Sequence, residues 1–526
     1  RSSNMLYVTN SSRRMLFHCA FVAIVFFISN AKAQAQNPEK SKWAYLNSKG
    51  VLTYKTLEGG DRIMDFSYAG YMGGGVEIPS VKVKITLSPT PGDNSDAIQN
   101  AIDQVSKMQL VNGFRGAVLL NSGNYDCEKT ININASGVVL RGSGPGENGS
   151  VINMTGKPHL CFSVRGSVVS NTIIGTSTSF ADPYVPSGAI SFNLTDASGF
   201  TVGDTIRIVR PVTEAWVKFM GMDQLIRNGK KQTWITGEIN CERVIKKRNK
   251  NKITIDVPLT DSYDSKYLNP PGVSVIKIAS TGQLSQIGIE NLRIVSPAQS
   301  VTINQGSNRA FSMSGICDGW ARDIDVLNTV NSVSITGKRI TVDNLIILHN
   351  LPTLGAAKPA DINGSGQQLF FNHCKITGDN LFFFGTGAKV TGPIVLLNCI
   401  FHGNGWIQPH QRWATGLLVD ECEVPDGGID FMNRGAYGSG HGWAIGWAVA
   451  WNCKAKSFLN QLPPGTANWV IGSTGEHARK SMPFNKDPMV SEGIYDSPGI
   501  TVTPGSLYLT QLLERLGKQA LVNIGY

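Results

Sequence analysis

The feature that most constrains the fold is a two-residue unit, polar then apolar, that recurs through the second half of the chain. It stands at Asn291-Leu292, Asp323-Ile324, Asn344-Leu345, His373-Cys374, Asn398-Cys399, Glu421-Cys422 and Asn452-Cys453, at intervals of 32, 21, 29, 25, 23 and 31 residues. β-Branched or apolar residues flank most of these units. Self-similarity at roughly 20 to 30 residues marks a solenoid, whose coils bury their apolar stripes only against one another. Hexapeptide and leucine-rich consensus patterns are absent. Stacked coils set like over like, so Cys374, Cys399, Cys422 and Cys453 are expected in one file inside the core, behaving as small hydrophobes. The polar partner of each is expected at a turn. A disulfide between neighbouring coils is left open by the spacing.

Composition agrees with a turn-rich, all-β chain. Of 526 residues, 57 are glycine and only 16% are charged, and many of the glycines end short apolar runs, where turns are needed. A repeat architecture lets such a length form one body. Near the start, Arg13-Arg14, the apolar run Met15 to Ser29 and Ala31-Lys32-Ala33 read as a secretory signal over 1–33. The run, about 15 residues, is shorter than the roughly 20 that span a bilayer. Localisation is therefore expected to be secreted or periplasmic, and no later stretch is apolar enough to span. The formal charge of +10 falls to +6 without Arg1, Arg13, Arg14 and Lys32, and a basic secreted protein favours a polyanion such as an acidic polysaccharide. No basic helix or aromatic single-strand motif points to nucleic acid. A monomer is expected.

The rest of the chain falls into place around the repeat. In the 34–180 segment, Asp93-Asn94-Ser95 precedes Ile98, Ala101, Ile102 and Val105, an amphipathic helix with Ser95 as N-cap. Short strands follow, so the helix is expected to cap the open end of the solenoid. Residues 181–280 change character. Gly199 to Ile208 alternates, and Cys241 to Ile245 and Ile253 to Val257 flank a basic tip as a hairpin. This is read as an antiparallel insertion, with Trp216 and Trp234 in its packing. The coils resume over 281–505. In 506–526, Leu509, Leu512, Leu513 and Leu516 fall at helical spacing, as in a closing helix.

The N-terminal part carries a resemblance. Gly92-Asp93, Ala97-Ile98-Gln99-Asn100-Ala101-Ile102-Asp103, Arg115-Gly116-Ala117-Val118-Leu119-Leu120, Gly123-Asn124-Tyr125 and Ser136-Gly137-Val138-Val139-Leu140-Arg141-Gly142 resemble the pectate-lyase-like superfamily. The resemblance implies an all-β, right-handed single-stranded parallel β-helix with an N-terminal cap helix, and activity on polysaccharides. Gly440-His441-Gly442 resembles one polygalacturonase motif, without the Asn-Thr-Asp, Asp-Asp and Arg-Ile-Lys motifs of that family. The acidic calcium cluster of the pectate lyases has only Asp420, Glu421, Asp426 and Asp430 to match it, spread over two turns. Calcium therefore stays open as a cofactor, with no metal ligand assigned.

Candidate chemistry concentrates between Gly403 and Trp451. β-Elimination on a uronic acid needs a group to neutralise the carboxylate, a base for the neighbouring proton and an acid for the leaving oxygen. Arg suits the first, and His or Tyr suits the others. His410, Arg412, Arg434 and His441 are the candidate catalytic residues. The interval from 410 to 441 equals that from Cys422 to Cys453, so the groups are expected on one face. Trp406, Trp413, Tyr437, Trp443 and Asp379 are the candidate substrate contacts, the tryptophans as stacking walls for sugar rings. A glycoside hydrolase would instead need two carboxylates, drawn from Asp361, Asp379, Asp420, Glu421 and Asp430. The third reading is a non-catalytic glycan-binding solenoid.

Overall fold

All seven polar residues of the recurring unit adopt left-handed backbone, with φ between 49° and 58°. This conformation is costly for residues with a Cβ and least so for Asn and Asp, which fill five of the seven positions. It turns the chain sharply, ending one strand before the corner at His373, Asn398, Glu421 and Asn452 and bending a continuous strand at Asn291, Asp323 and Asn344. The structure in which this is seen is a computed structural model describing residues 36–167, 170–353, 360–485 and 488–526. The signal expected over 1–33 lies outside the described residues.

Stacking these corners builds a single-stranded parallel β-helix with three faces, all within one 24-stranded sheet. On the first face Phe370 pairs with Val395, Val395 with Leu418, Leu418 with Val449 and Val449 with Val470's neighbour Trp469. On the second, Lys375 pairs with Ile400, Ile400 with Glu423 and Glu423 with Lys454. On the third, Phe384 pairs with Ile407, Ile407 with Ile429 and Ile429 with Phe458. The corners themselves hydrogen-bond from coil to coil, Asn398 N–H to Asp420 O at 3.1 Å and Glu421 N–H to Trp451 O at 2.8 Å.

The apolar half of each unit points inward. Leu292, Ile324, Leu345 and the four cysteines all sit in the main core, the cysteines fully buried. Each thiol lies against backbone carbonyls, as Cys453 Sγ does against Val419 O at 3.2 Å. The eight cysteines of the described chain are buried and free, so no disulfide staples the coils. Burial pushes the thiols of Cys399, Cys422 and Cys453 well above their usual range.

Helices cover the ends and flank. The helix Ser95–Ser106 buries Ile98, Ala101, Ile102 and Val105. Its N-cap is Asn94 rather than Ser95, because Asp93 reaches forward and accepts the Ser95 N–H at 3.1 Å, drawing Ser95 into the helix. The closing helix Leu507–Leu516 buries Leu507, Tyr508, Gln511 and Leu512, whereas Leu513 and Leu516 are half-exposed. Its rotation is fixed by polar contacts. Asp420 accepts from Tyr508 N–H and Ser506 Oγ, both at 2.8 Å. Gln511 joins Phe66 N–H and Met64 O. The N-terminal segment lies along this flank, with Glu39–Lys40 pairing parallel to Val502–Thr503.

The antiparallel insertion is a six-stranded sheet with its own core, containing Trp216 and Trp234. It reaches back to Ser170, because the outgoing strand Ser170–Ser179 pairs with the returning strand Ser274–Thr281. Among the described residues no helix is long and apolar enough to cross a membrane.

Candidate functional site

The third-face strands Trp406–Ile407 and Glu423–Phe431 run on into two loops that hold most of the candidate residues. The loops stack through backbone bonds, Arg412 N–H to His441 O and Trp413 N–H to Trp443 O, both at 2.9 Å. Glycine is required where the second loop folds tightly. Gly438 and Gly442 have positive φ, and a Cβ would lie 2.6 Å from the His441 ring at Gly438 and 2.3 Å from Trp234 at Gly442.

This stacking brings His410, Arg434 and His441 together. The two imidazole centroids are 4.7 Å apart. Arg434 Nη1 donates to His410 O at 2.8 Å and lies 3.2 Å from both His410 Nδ1 and His441 Nδ1, between which its second hydrogen is shared. The guanidinium lies 5.3 Å from both the Phe382 and the Tyr437 ring centroids. A guanidinium only donates, so an Nδ1 bonded to it accepts, in an imidazole that is neutral with its proton on Nε2. Burial first, and then the Arg434 charge, lower His410 to about 3 and His441 to about 4. Arg412 and Arg227 add to the lowering at His441. Arg434 is itself lowered to about 10 by burial, and its Nε is buried without a partner.

Asp430 and Gln408 complete the inner edge. Gln408 Nε2 donates to Asp430 Oδ2 at 2.7 Å, and burial raises Asp430 to about 6 against the lowering pull of Gln408, Lys480 and Arg434. Neither Gln408 nor the Asp430 contact was foreseeable as part of the cluster, since each depends on the neighbouring coil. Phe382 had a signal, because it precedes Trp406 by one coil and the two are in register.

Other candidates fall elsewhere. Arg412 is spent on joining solenoid to insertion, donating to Trp234 O, to Gln411 and to Ser439 Oγ. Trp413 and Trp443 are buried in the insertion's core rather than walling the His410–His441 face. Their indoles donate to Asp261 at 2.7 Å and to Met220 O at 3.2 Å. Both Arg412 and Trp413 have left-handed backbone. Trp406 stays half-buried on the third face and Tyr437 is 42% exposed. Asp379 accepts Asn404 N–H at 3.0 Å and holds a turn.

Three of the carboxylates proposed for hydrolysis are held by other partners. Asp361 bonds buried His349 at 2.5 Å, Asp420 lies under the closing helix, and Asp430 faces Gln408. Asp420 is raised to about 8 by its burial. Among the described residues no three His, Cys, Asp or Glu side chains are grouped to hold a metal ion.

No family model and no curated protein sequence matches this chain. Among solved structures it is similar to the tailspike protein gp49 from Pseudomonas phage LKA1, at 13% identity over 73% of this chain and 69% of that one, with TM-score 0.41. It is also similar to a tailspike variant of E. coli bacteriophage HK620 in complex with a pentasaccharide, at 9% identity over 83% and 61%, TM-score 0.39. A third is PfbA, a surface adhesin of Streptococcus pneumoniae, at 11% identity over 75% and 80%, TM-score 0.33.

Proposed function

We propose that this protein binds an acidic polysaccharide on the His410–Arg434–His441 face and cleaves it by β-elimination. The observation that carries the reading is the single Arg434 Nη1 shared between two neutral imidazoles. The Arg434, Arg412 and Arg227 charges all act on His441, so the face attracts anions. A uronate carboxylate offers Arg434 a better acceptor than an imidazole nitrogen, because both partners are charged and the fork fits. Drawing Arg434 onto the carboxylate neutralises it, which acidifies the adjacent C–H. The same movement frees an Nδ1 lone pair on a histidine that is already unprotonated.

The freed imidazole takes the proton from carbon, the electron pair forms the new carbon–carbon double bond, and the glycosidic C–O bond breaks. Tyr437 gives its phenolic proton to the leaving oxygen and recovers one from solvent. Trp406 and Phe382, in register on the third face, supply apolar surface for a sugar ring.

The test is to incubate the full chain with polygalacturonate, alginate and neutral glucans. Ultraviolet absorbance from an unsaturated uronate, on an acidic glycan only, supports the reading. New reducing ends without that absorbance would mean hydrolysis, and binding without either product would mean a non-catalytic glycan binder. Each of those two outcomes overturns β-elimination.

A further inference from the structure

On the far side of the tryptophans from His441 lies a cavity of about 430 Å³. The N-terminal segment, the insertion and the solenoid each contribute to its lining. Its volume falls within the roughly 300–1,000 Å³ of small-ligand sites. Its apolar wall is the stacked pair Phe219 and Tyr267, whose ring centroids are 4.0 Å apart, together with Trp216. Its interior donor is Arg210.

Arg210 is the unusual group. Its side chain is 5% exposed and its guanidinium lies over the Trp216 ring, 4.2 Å from the centroid, yet its polar contacts are all long: 3.6 Å from Nε to Asp261 Oδ2, and 3.4 and 3.5 Å from Nε and Nη2 to Ser262 O. Its Nη1 is buried without any partner. A buried guanidinium so loosely held is costly unless a further acceptor reaches it. Asp261 is already engaged, its carboxylate accepting from the Trp413 and Trp447 indoles and from Ser262 N–H. Asp61 is likewise taken up by Tyr184 OH and Ser187 N–H.

We infer that this cavity binds a short neutral saccharide, with ring or hydroxyl oxygens accepting from the Arg210 guanidinium. The lining carries four carboxylates, those of Glu58, Asp61, Asp261 and Asp264, against the one guanidinium. An anionic sugar is therefore repelled where an uncharged one is not. Glu58 and the second oxygen of Asp264, whose Oδ1 accepts from Lys266 N–H, are left to accept from hydroxyls, and Phe219 with Tyr267 covers the apolar face of the ring. The site is separate from the His410–Arg434–His441 face, whose three residues are not in the cavity lining, and the inference stands independently of the reaction proposed there.

The experiment is calorimetric titration of the full chain with maltose, cellobiose, lactose and digalacturonate, with tryptophan fluorescence read in parallel. At least one neutral disaccharide is expected to bind and to alter the emission, with digalacturonate not competing for it. Arg210→Met should weaken that binding by about ten- to a hundredfold, as for loss of a charged hydrogen bond. Tyr267→Ala, at the half-buried wall and remote from the Asp261 network, should weaken it as well. Neither change should alter turnover of an acidic glycan. Absence of binding by all three neutral sugars overturns the inference, as does displacement by digalacturonate. Undiminished affinity in Tyr267→Ala overturns it even where Arg210→Met fails to fold.

Discussion

Replacing Arg434 by Met tests whether one guanidinium keeps two histidines neutral. Met preserves most of the volume and the apolar stem between Phe382 and Tyr437 while removing the charge and the Nη1 donor. Burial is the larger cause of lowering in both histidines, with Arg434 second. Arg434 therefore accounts for less than half of the fall from 6.5 to about 3 in His410 and to about 4 in His441. Its removal should raise each titration midpoint by about one pH unit, or about 1.4 kcal/mol. The sign for stability follows. With folded values below the unfolded one, the unfolded chain binds more protons, so stability is lost as pH falls below 6.5 toward the folded values. The variant should lose less of its own stability over that range. Imidazole ¹⁵N resonances provide the assay, and they also keep the histidines distinct from Asp430, which should rise too. In the unaltered protein they should show the Nε2–H tautomer, unchanged from pH 8 down to about 5. Turnover of an acidic glycan should fall about a hundredfold or more, equivalent to about 2–4 kcal/mol of transition-state stabilisation. Histidines that titrate near 6.5 before the substitution, or do not move after it, would refute the shared-guanidinium account.

Two further outcomes concern the scaffold. His349→Ala should cost about 3–5 kcal/mol, read as a lower denaturation midpoint, because it leaves the Asp361 carboxylate buried without its ring partner. Burial pulls His349 down, but Asp361 raises it overall, so the pair's contribution is complete below the unfolded value of about 6.5 and should fade as pH rises through the folded one. The eight described cysteines should resist a thiol reagent in the native state and all react in denaturant, since they are buried and free. Rapid native labelling of Cys399, Cys422 or Cys453 would contradict the core file.

The solenoid was legible because its corners place two demands on neighbouring residues. The first must tolerate left-handed backbone, which favours Asn and Asp, and the second must be apolar enough to enter the core, as Cys453 does. The closing helix was only half legible, because Leu509, Leu512, Leu513 and Leu516 define an apolar stripe without saying which edge of it packs. The choice came from Asp420, remote in sequence, bonding Tyr508 N–H. The strand Ser170–Ser179 was not legible at all. It lies outside the bounds expected for the insertion and pairs with Ser274–Thr281, and strand preference is set largely by such partners. The site shows the same division. An interval matching one coil stacks His410 near His441 whatever lies between them, so their meeting could be read from the sequence. The direction in which a side chain leaves the coil could not, because it depends on φ. Arg412 and Trp413, adjacent and both with left-handed backbone, end on different partners. The arginine bonds Ser439 beside the histidines, and the tryptophan turns into the cavity that holds Arg210. A coil interval thus predicts which residues share a level of the solenoid, while the corner geometry decides which of its two faces each one serves.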